Sequence, residues 1–351
     1  MIDSVDKPDG RAAEPRRPTM RSIAHQAGVN VSTVSRALRA APGQEAVGVG
    51  ADVVARIHRI ADELGYRPDP HAASLRSRRT NVVGVLVPRL SDVVLATIFE
   101  GVDAHCTEHG YQAVVANTGD DPAEHARRLD LMRTRRVDGL ILADTRLTDP
   151  PVDPGLPFVL VNRRRPGQLS VTCDDEAGGE LVGDHFADLG HRHVGIVGGH
   201  PWAGTAVDRA HGCRAALARR GVEVPDSHLL HTGFDTRGGR EATERLLRAT
   251  PRPTAIFAVN DYAAVGVMGA LRDAGLTPGR DVAVAGYNDI DVASELLIPL
   301  TTVDSSPLDM GRHAARTLLA LLRGEDVSPV LLPPRLRIRS STSDSAAGRG
   351  R

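Results

Sequence analysis

Past residue 80 the apolar positions fall in short unbroken runs, separated by longer segments of helical periodicity. The runs are VVGVLV (82–87), QAVVAN (112–117), GLILA (139–143), FVLVN (158–162), HVGIVG (193–198), TAIFAVN (254–260) and VAVAGYN (282–288). Such runs, rich in Val, Ile and Ala, predict parallel strands covered on both faces. The segments 97–109, 123–135, 176–189, 206–220, 236–248 and 261–274 predict helices, with Gly110, Gly190, Gly221 and Gly275 where helices end. Alternation of this kind predicts a doubly wound α/β arrangement. NVVGVLVP and RHVGIVGG each open such a series, which predicts two similar lobes rather than one large sheet. Ligands of these folds bind beyond the carboxyl ends of the strands, so two facing lobes predict a cleft there.

Residues 19–75 are patterned as helices throughout. In RSIAHQAGVNVSTVSRAL, Thr19 caps a first helix with Ile23, Ala24 and Ala27 on its inner face. Gly28 takes a tight turn. Asn30 then caps a second helix, whose Val34, Ala37 and Leu38 point inward and whose Val31, Ser32, Ser35 and Arg36 are left outside. A third helix, ADVVARIHRIADELGYRP (51–68), has Val53, Val54, Ile57, Ile60, Ala61 and Leu64 at helical spacing, with Asp52 as cap and Gly65 as stop. This is the pattern of a helix-turn-helix, whose second helix enters a DNA major groove by its N-terminal end. Arg36 suits a guanine or a phosphate, Thr33 and Ser35 suit phosphate oxygens, and Val31 suits a thymine methyl. A helical hairpin with a solvated polar face is the alternative.

Charge separates the two readings. Residues 11–80 hold twelve arginines against six carboxylates, a net +6, whereas the whole chain carries −1 and the remainder therefore −7. Phosphate binding requires such an asymmetry. Lys7 is the sole lysine, so the donors are planar guanidinium forks. Cys106, Cys173 and Cys213 are far apart and odd in number, which points to a reducing cytoplasm. No run reaches membrane-span length, and the polar N-terminus has no signal-peptide core.

IAHQAGVNVSTVSRAL, ADELGYRPDPHAASLR, VVGVLVP, RRVDGLILA, AVNDYAAVG and PLTTV stand in an order and spacing that resembles the LacI/GalR family of bacterial transcriptional regulators over roughly 19–340. The resemblance implies a small all-α helix-turn-helix domain joined to an α/β two-lobed effector domain like periplasmic sugar-binding proteins. It implies a homodimer on near-palindromic double-stranded operator DNA, and a small-molecule effector, a sugar or sugar derivative, between the lobes. No cofactor, metal or catalytic residue is implied. Val31, Ser32 and Arg36 match the positions that read base edges, Tyr66 supports the DNA-facing surface, and Leu75, beside Ala72, matches a minor-groove wedge. With Thr19, Thr33 and Ser35 these are the expected DNA contacts. The expected effector contacts are Ser91, Asp92, Asn117, Asn162, Arg163, Arg209, Phe234, Asn260, Asn288 and Asp289. Turn and capping roles are the alternative for each.

The expected division is a disordered extension (1–18), the DNA-binding domain (19–68), a hinge helix (69–80), the effector domain (81–340) and a disordered tail (341–351). Within the effector domain the first lobe is expected over about 81–161 and 291–325, and the second over 162–290 and 326–340. Several positions depart from the family pattern. AAPGQEAVGVG (40–50) is longer than the usual connection and reads as flexible, and Arg39 replaces an Asn. Asn162 and Asn288 stand where Asp is frequent, and Ser305 where Gln is common. With Arg163, Arg164, Arg165 and Arg209 nearby, the pocket is expected to be less acidic and to suit a polar ligand, anionic sugar derivatives included. The rival readings are a transport solute-binding protein, which has no use for 19–80, and an enzyme. No GxGxxG, P-loop, GxSxG or HExxH supports the enzyme, and the histidines of HFADLGHRH (185–193) read as structural.

Overall fold

The computed structural model describes residues 18–42, 44–67, 79–151 and 153–343, and the chain divides into two compact units meeting at residues 78 and 79. Ala72 and Leu75, the expected wedge segment, lie outside the described residues, as does most of the expected hinge helix.

In the first unit α1 (Met20–Ala27), α2 (Val31–Ala37) and α3 (Ala51–Glu63) close on Ile23, Ala24, Ala27, Val34, Ala37, Val54, Ile57, Ile60 and Ala61, all buried. Thr19 and Ser22 form a reciprocal cap on α1: the Ser22 N–H donates to Thr19 Oγ1 (3.3 Å) and the Thr19 N–H to Ser22 Oγ (2.8 Å). Gly28 adopts φ +65°, the left-handed conformation that lets the chain turn into α2. Asn30 occupies the cap position of α2 without a side-chain hydrogen bond. Asp52, expected to cap α3, lies inside its first turn instead; Gly50 is the cap residue. The long connection is not open among its described residues. Ala46 and Val49 bond each other's backbones, and Val49 is buried on the helical core.

The second unit has two parallel sheets. The first has the order β11-β5-β4-β3-β1-β2, from β1 (Val82–Val87), β2 (Gln112–Asn117), β3 (Gly139–Leu142), β4 (Phe158–Val161), β5 (Ser170–Cys173) and β11 (Val330–Leu332). The second has the order β7-β6-β8-β9, from β6 (Val194–Gly198), β7 (Leu229–His231), β8 (Ala255–Ala258) and β9 (Ala283–Ala285). Helices α4 (Val93–Glu108), α5 (Pro122–Thr134) and α11 (Pro307–Arg323) cover the first sheet, with the short α10 (Val292–Glu295) preceding α11 in the chain. The second is covered by α6 (Asp175–Asp188), α7 (Gly204–Arg219), α8 (Thr236–Leu246) and α9 (Asp261–Asp273). α6 and α7 pack closely because both carry glycine at their crossing. A Cβ on Gly179 would stand 2.1 Å from the Arg209 carbonyl oxygen, and one on Gly212 2.0 Å from that of Glu176.

All seven expected strands form, but the lobe boundaries differ from those expected. Residues 170–173 and 330–332 belong to the first lobe, because Leu160 pairs with Ser170 and Val330 with Val171. Residues 301–304 belong to the second, because the Gly286 N–H donates to the Thr301 carbonyl and the Asn288 N–H to that of Val303. β10 (Thr302–Asp304) then pairs antiparallel with β12 (Arg335–Arg337). The chain thus crosses between lobes near 174, 305 and 333. Residues 341–343, placed in the expected disordered tail, are ordered instead: they lie in α12 (Ser340–Ser343), Ser341 Oγ donates to the Val284 carbonyl (2.6 Å), and Ser341 and Thr342 are fully buried.

Candidate functional site

On the first unit, Val31, Ser32 and Arg36 are exposed on α2, Thr33 and Ser35 are half-buried beside them, and Thr19 is exposed at the start of α1. Arg36 is tied back within its own unit. Its Nη1 donates to the Val47 carbonyl (2.8 Å) and its Nε to that of Ser32 (3.4 Å). The longer connection thus acts as an arginine rest. Tyr66 packs half-buried on the helical core, its N–H bonded to the Ala61 carbonyl (2.8 Å).

On the second unit a cleft of about 350 Å³ opens where the carboxyl ends of the strands face each other, a volume suited to a small ligand. It narrows into a recess lined by Asn162, Arg209, Asn260 and Asn288. Asp92, Leu95, Arg163 and Phe234 border both parts. Most wall residues follow a strand. Ser91 and Asp92 come after β1, Asp120 after β2, Asn162 and Arg163 after β4, His200 after β6, Phe234 and Asp235 after β7, and Asn260 and Asn288 after β8 and β9.

Local hydrogen bonds fix these side chains. Asp92 caps α4 by accepting from the Val94 N–H (3.0 Å), and burial raises its pKa despite that bond. Asn260 caps α9 through Oδ1 (2.9 Å) while its Nδ2 donates to the Phe234 carbonyl (2.8 Å), holding the aromatic loop. Asn162 and Asn288 have φ of +63° and +106°, conformations that asparagine tolerates better than most residues. Asn288 Oδ1 accepts from Ser305 Oγ (3.2 Å).

The arginines expected to make the pocket less acidic are each engaged by a neighbouring acceptor. Arg163 pairs with Asp120 (2.5 Å), Arg164 with Asp208 (2.9 Å) and Arg209 with Asp175 (2.7 Å). Arg165 donates to the Arg146 carbonyl. Asp175 and Arg209 are both buried, and the Arg209 guanidinium lies 3.8 Å from the centre of the Tyr287 ring.

Two expected effector residues stand apart. Asn117 is exposed and accepts from the Leu90 N–H (3.1 Å), so it props the 88–92 loop rather than lining the cleft. Asp289 is engaged by Arg339 (2.7 Å) and Arg337 (3.7 Å) on the chain returning to the second lobe. Ser91, Asp92, Asn162, Arg163, Arg209, Phe234, Asn260 and Asn288 are brought together around the cleft and its recess.

Comparisons with known proteins accord with this geometry. Residues 19–69 match the family described as bacterial regulatory proteins, lacI family, and residues 183–342 match the periplasmic binding protein-like domain. The chain is 32% identical to the ribose operon repressor of Escherichia coli (strain K12) over 327 residues, 91% of this chain and 96% of that one. The chain belongs to the LacI family. Among solved structures it is similar to the transcriptional regulator CelR–cellobiose complex, with 30% identity, a TM-score of 0.70, and 93% and 100% of the two chains covered. It is also similar to the lac repressor dimer bound to operator and the anti-inducer ONPF, with 25% identity, a TM-score of 0.81, and coverage of 93% and 99%. The protein is thus a LacI-family transcriptional repressor. Among the described residues no helix is long and apolar enough to cross a membrane.

The sequence reading of this LacI-family chain missed an aromatic wall. His200 stacks on Trp202 (centroids 4.7 Å apart, planes 11° apart) and meets Phe234 edge-on at 5.7 Å. Burial lowers the His200 pKa and favours its neutral form. The guanidiniums of Arg146 and Arg163 also lie over the Trp202 ring, at 4.6 and 5.3 Å from its centre. HPW follows β6 directly, so the rule that sites lie at strand ends points to it. Among the described residues one histidine–carboxylate grouping is close enough to share an ion: His105, Glu108 and His109, at the far end of α4 from Asp92. His191, from the run read as structural, bonds Thr254 Oγ1 (2.9 Å).

Proposed function

We propose that this repressor binds duplex operator DNA as a homodimer, through Thr19, Val31, Ser32, Thr33, Ser35, Arg36 and Tyr66, and that a sugar or uncharged sugar derivative in the cleft sets its affinity. One observation carries the ligand class: the two buried arginines of the cleft are matched by carboxylates, Arg163 by Asp120 and Arg209 by Asp175, which leaves the exposed Arg89 at its edge. Inside that edge a ligand meets mainly acceptors and amides, Asp92, Asp235, Asn162 and Asn288, beside the flat face of Phe234. Hydroxyls donate to carboxylates and a sugar ring packs on an aromatic, so a neutral polyol fits this chemistry. The relatives named for ribose and for cellobiose are in keeping with it.

The cleft spans two lobes joined by three crossings, so a ligand gripping both lobes favours one of their relative positions. Only its differential affinity for the two arrangements shifts DNA binding, typically by about 1–3 kcal/mol. Calorimetric titration of the full chain with ribose, cellobiose and their phosphate esters tests the ligand class. Binding of a neutral sugar is expected, and exclusive binding of phosphorylated ones rejects it.

A further inference from the structure

The first lobe holds a second hollow, of about 220 Å³, at the carboxyl ends of β2 and β3. Asp120, half-buried and paired with the buried Arg163, borders both it and the cleft. One wall is the start of α5, with Pro122, His125 and Leu129; the other is the loop that begins Asp144-Thr145-Arg146. Asp144 has its side chain 1% exposed and accepts from His125 Nδ1 at 2.7 Å through Oδ2. Its second oxygen, Oδ1, is buried with no hydrogen-bond partner, and so is the Thr145 hydroxyl beside it. Two adjacent buried polar groups left unpaired in one hollow are costly unless something else satisfies them.

We propose that this hollow binds a small organic amine, whose ammonium group hydrogen-bonds Asp144 Oδ1 and Thr145 Oγ1. The electrostatics select a cation. With Asp120 taken by Arg163, the carboxylates of Asp121, Asp144, Asp149 and Asp153 outnumber Arg146 and His125. The apolar wall selects an aliphatic body, packed on Pro122 and Leu129. A cavity near 150 Å³ accepts benzene, so this one takes an amine of roughly ten non-hydrogen atoms or fewer. A bare metal ion fits less well, because no three histidine or carboxylate ligand atoms of this hollow come within 4.8 Å of one another among the described residues.

The hollow also touches the device that joins the lobes. Arg146, on its wall, covers Trp202 of the second lobe, and the Leu147 N–H donates to the Trp202 carbonyl (2.8 Å). An amine seated against Asp144 therefore acts on the loop that holds Trp202, the chain's one tryptophan.

The test titrates the full chain with n-butylamine, 1,4-diaminobutane, n-butanol as the uncharged isostere, and calcium chloride. Calorimetry and Trp202 emission are the readouts. Saturable binding of at least one amine, a shift in Trp202 emission, no binding of n-butanol and at least tenfold weaker binding by Asp144→Asn are expected. Asp149→Asn, at the half-buried rim, weakens it severalfold. If Asp144→Asn does not fold, Thr145→Val is read in its place and also weakens binding. No saturable amine binding at tens of millimolar, equal binding of n-butanol, undiminished amine binding in the folded variants, or tighter binding of calcium than of either amine overturns the proposal.

Discussion

Arg209 Nε donates to Asp175 Oδ1 across 2.7 Å, with both side chains buried, and its Nη1 donates to the Val259 carbonyl at 2.9 Å. The arginine that faces the cleft recess is thus held by the first residue of α6 and by the residue after β8. Burial opposes ionisation of Asp175 and raises its pKa, while Arg209 acts against that rise. Arg209→Ala strands the carboxylate, and urea unfolding is expected to show a loss of about 3–5 kcal/mol. Arg209→Met with Asp175→Leu recovers most of that stability, because no charge is left buried, but does not recover ligand binding. Restored ligand binding in the double variant contradicts a ligand role for Arg209.

Cleft residues and their supports separate by variant. Phe234→Ala and Asp92→Asn are expected to weaken sugar binding at least tenfold. Asn117→Ala is expected to cost only a few-fold, because it acts through the Leu90 backbone. Asp289→Asn acts on the Arg337 and Arg339 pairs and lowers thermal stability while leaving the ligand dissociation constant near wild type. Calorimetry on the four variants side by side reads the ordering, and an Asn117 effect as large as that of Asp92 contradicts it.

On the DNA side, Arg36→Ala is expected to weaken binding to a selected duplex by about 1–3 kcal/mol if Arg36 reads a base edge. Fluorescence anisotropy at two salt concentrations distinguishes the roles: a base contact relaxes sequence preference, while a phosphate contact lowers affinity uniformly and reduces the salt slope. An unchanged affinity removes Arg36 from the interface.

Burial holds the His191 pKa down at about 4, against an ordinary value near 6.5. Above pH 6.5 the folded and unfolded chains are both neutral at this site, and its contribution to stability is fully present. Between pH 6.5 and 4 the unfolded chain takes up a proton that the folded chain refuses, so stability falls, by on the order of 2–3 kcal/mol. Thermal unfolding of His191→Gln across pH 4–7.5 is expected to show a shallower acid loss. Burial also lowers the pKa of His185 and His228, which leaves a residual slope. A slope as steep as wild type contradicts the assignment.

The strand runs and their Gly-ended helices were legible because a parallel strand covered on both faces leaves an unbroken apolar signature. β5 (SVTC), β7 (LLH) and β12 (RLR) left none. Three or four residues, partly polar, acquire their pairing from neighbours distant in sequence, and that is why the lobe boundaries shifted. Asp92, Asn260 and Asn288 were found because cleft residues follow strands. Asn117 and Asp289 sit equally close to strand ends, yet pattern does not reveal that one props a loop and the other pairs with Arg339. Nor does sequence reveal that Arg163, Arg164 and Arg209 each meet a carboxylate, which withdraws the support they lent to an anionic ligand.

The central claim is that a ligand between the lobes governs sequence-specific DNA binding by the first unit. Fragments of the native genome selected on the purified chain are titrated again with ribose or cellobiose, whichever calorimetry shows to bind. The account predicts a few preferred fragments, affinity falling steeply with salt, and a change of roughly 5-fold or more on saturation with sugar. Uniform binding to all fragments, or a preferred fragment whose affinity does not move while the sugar is demonstrably bound, contradicts it.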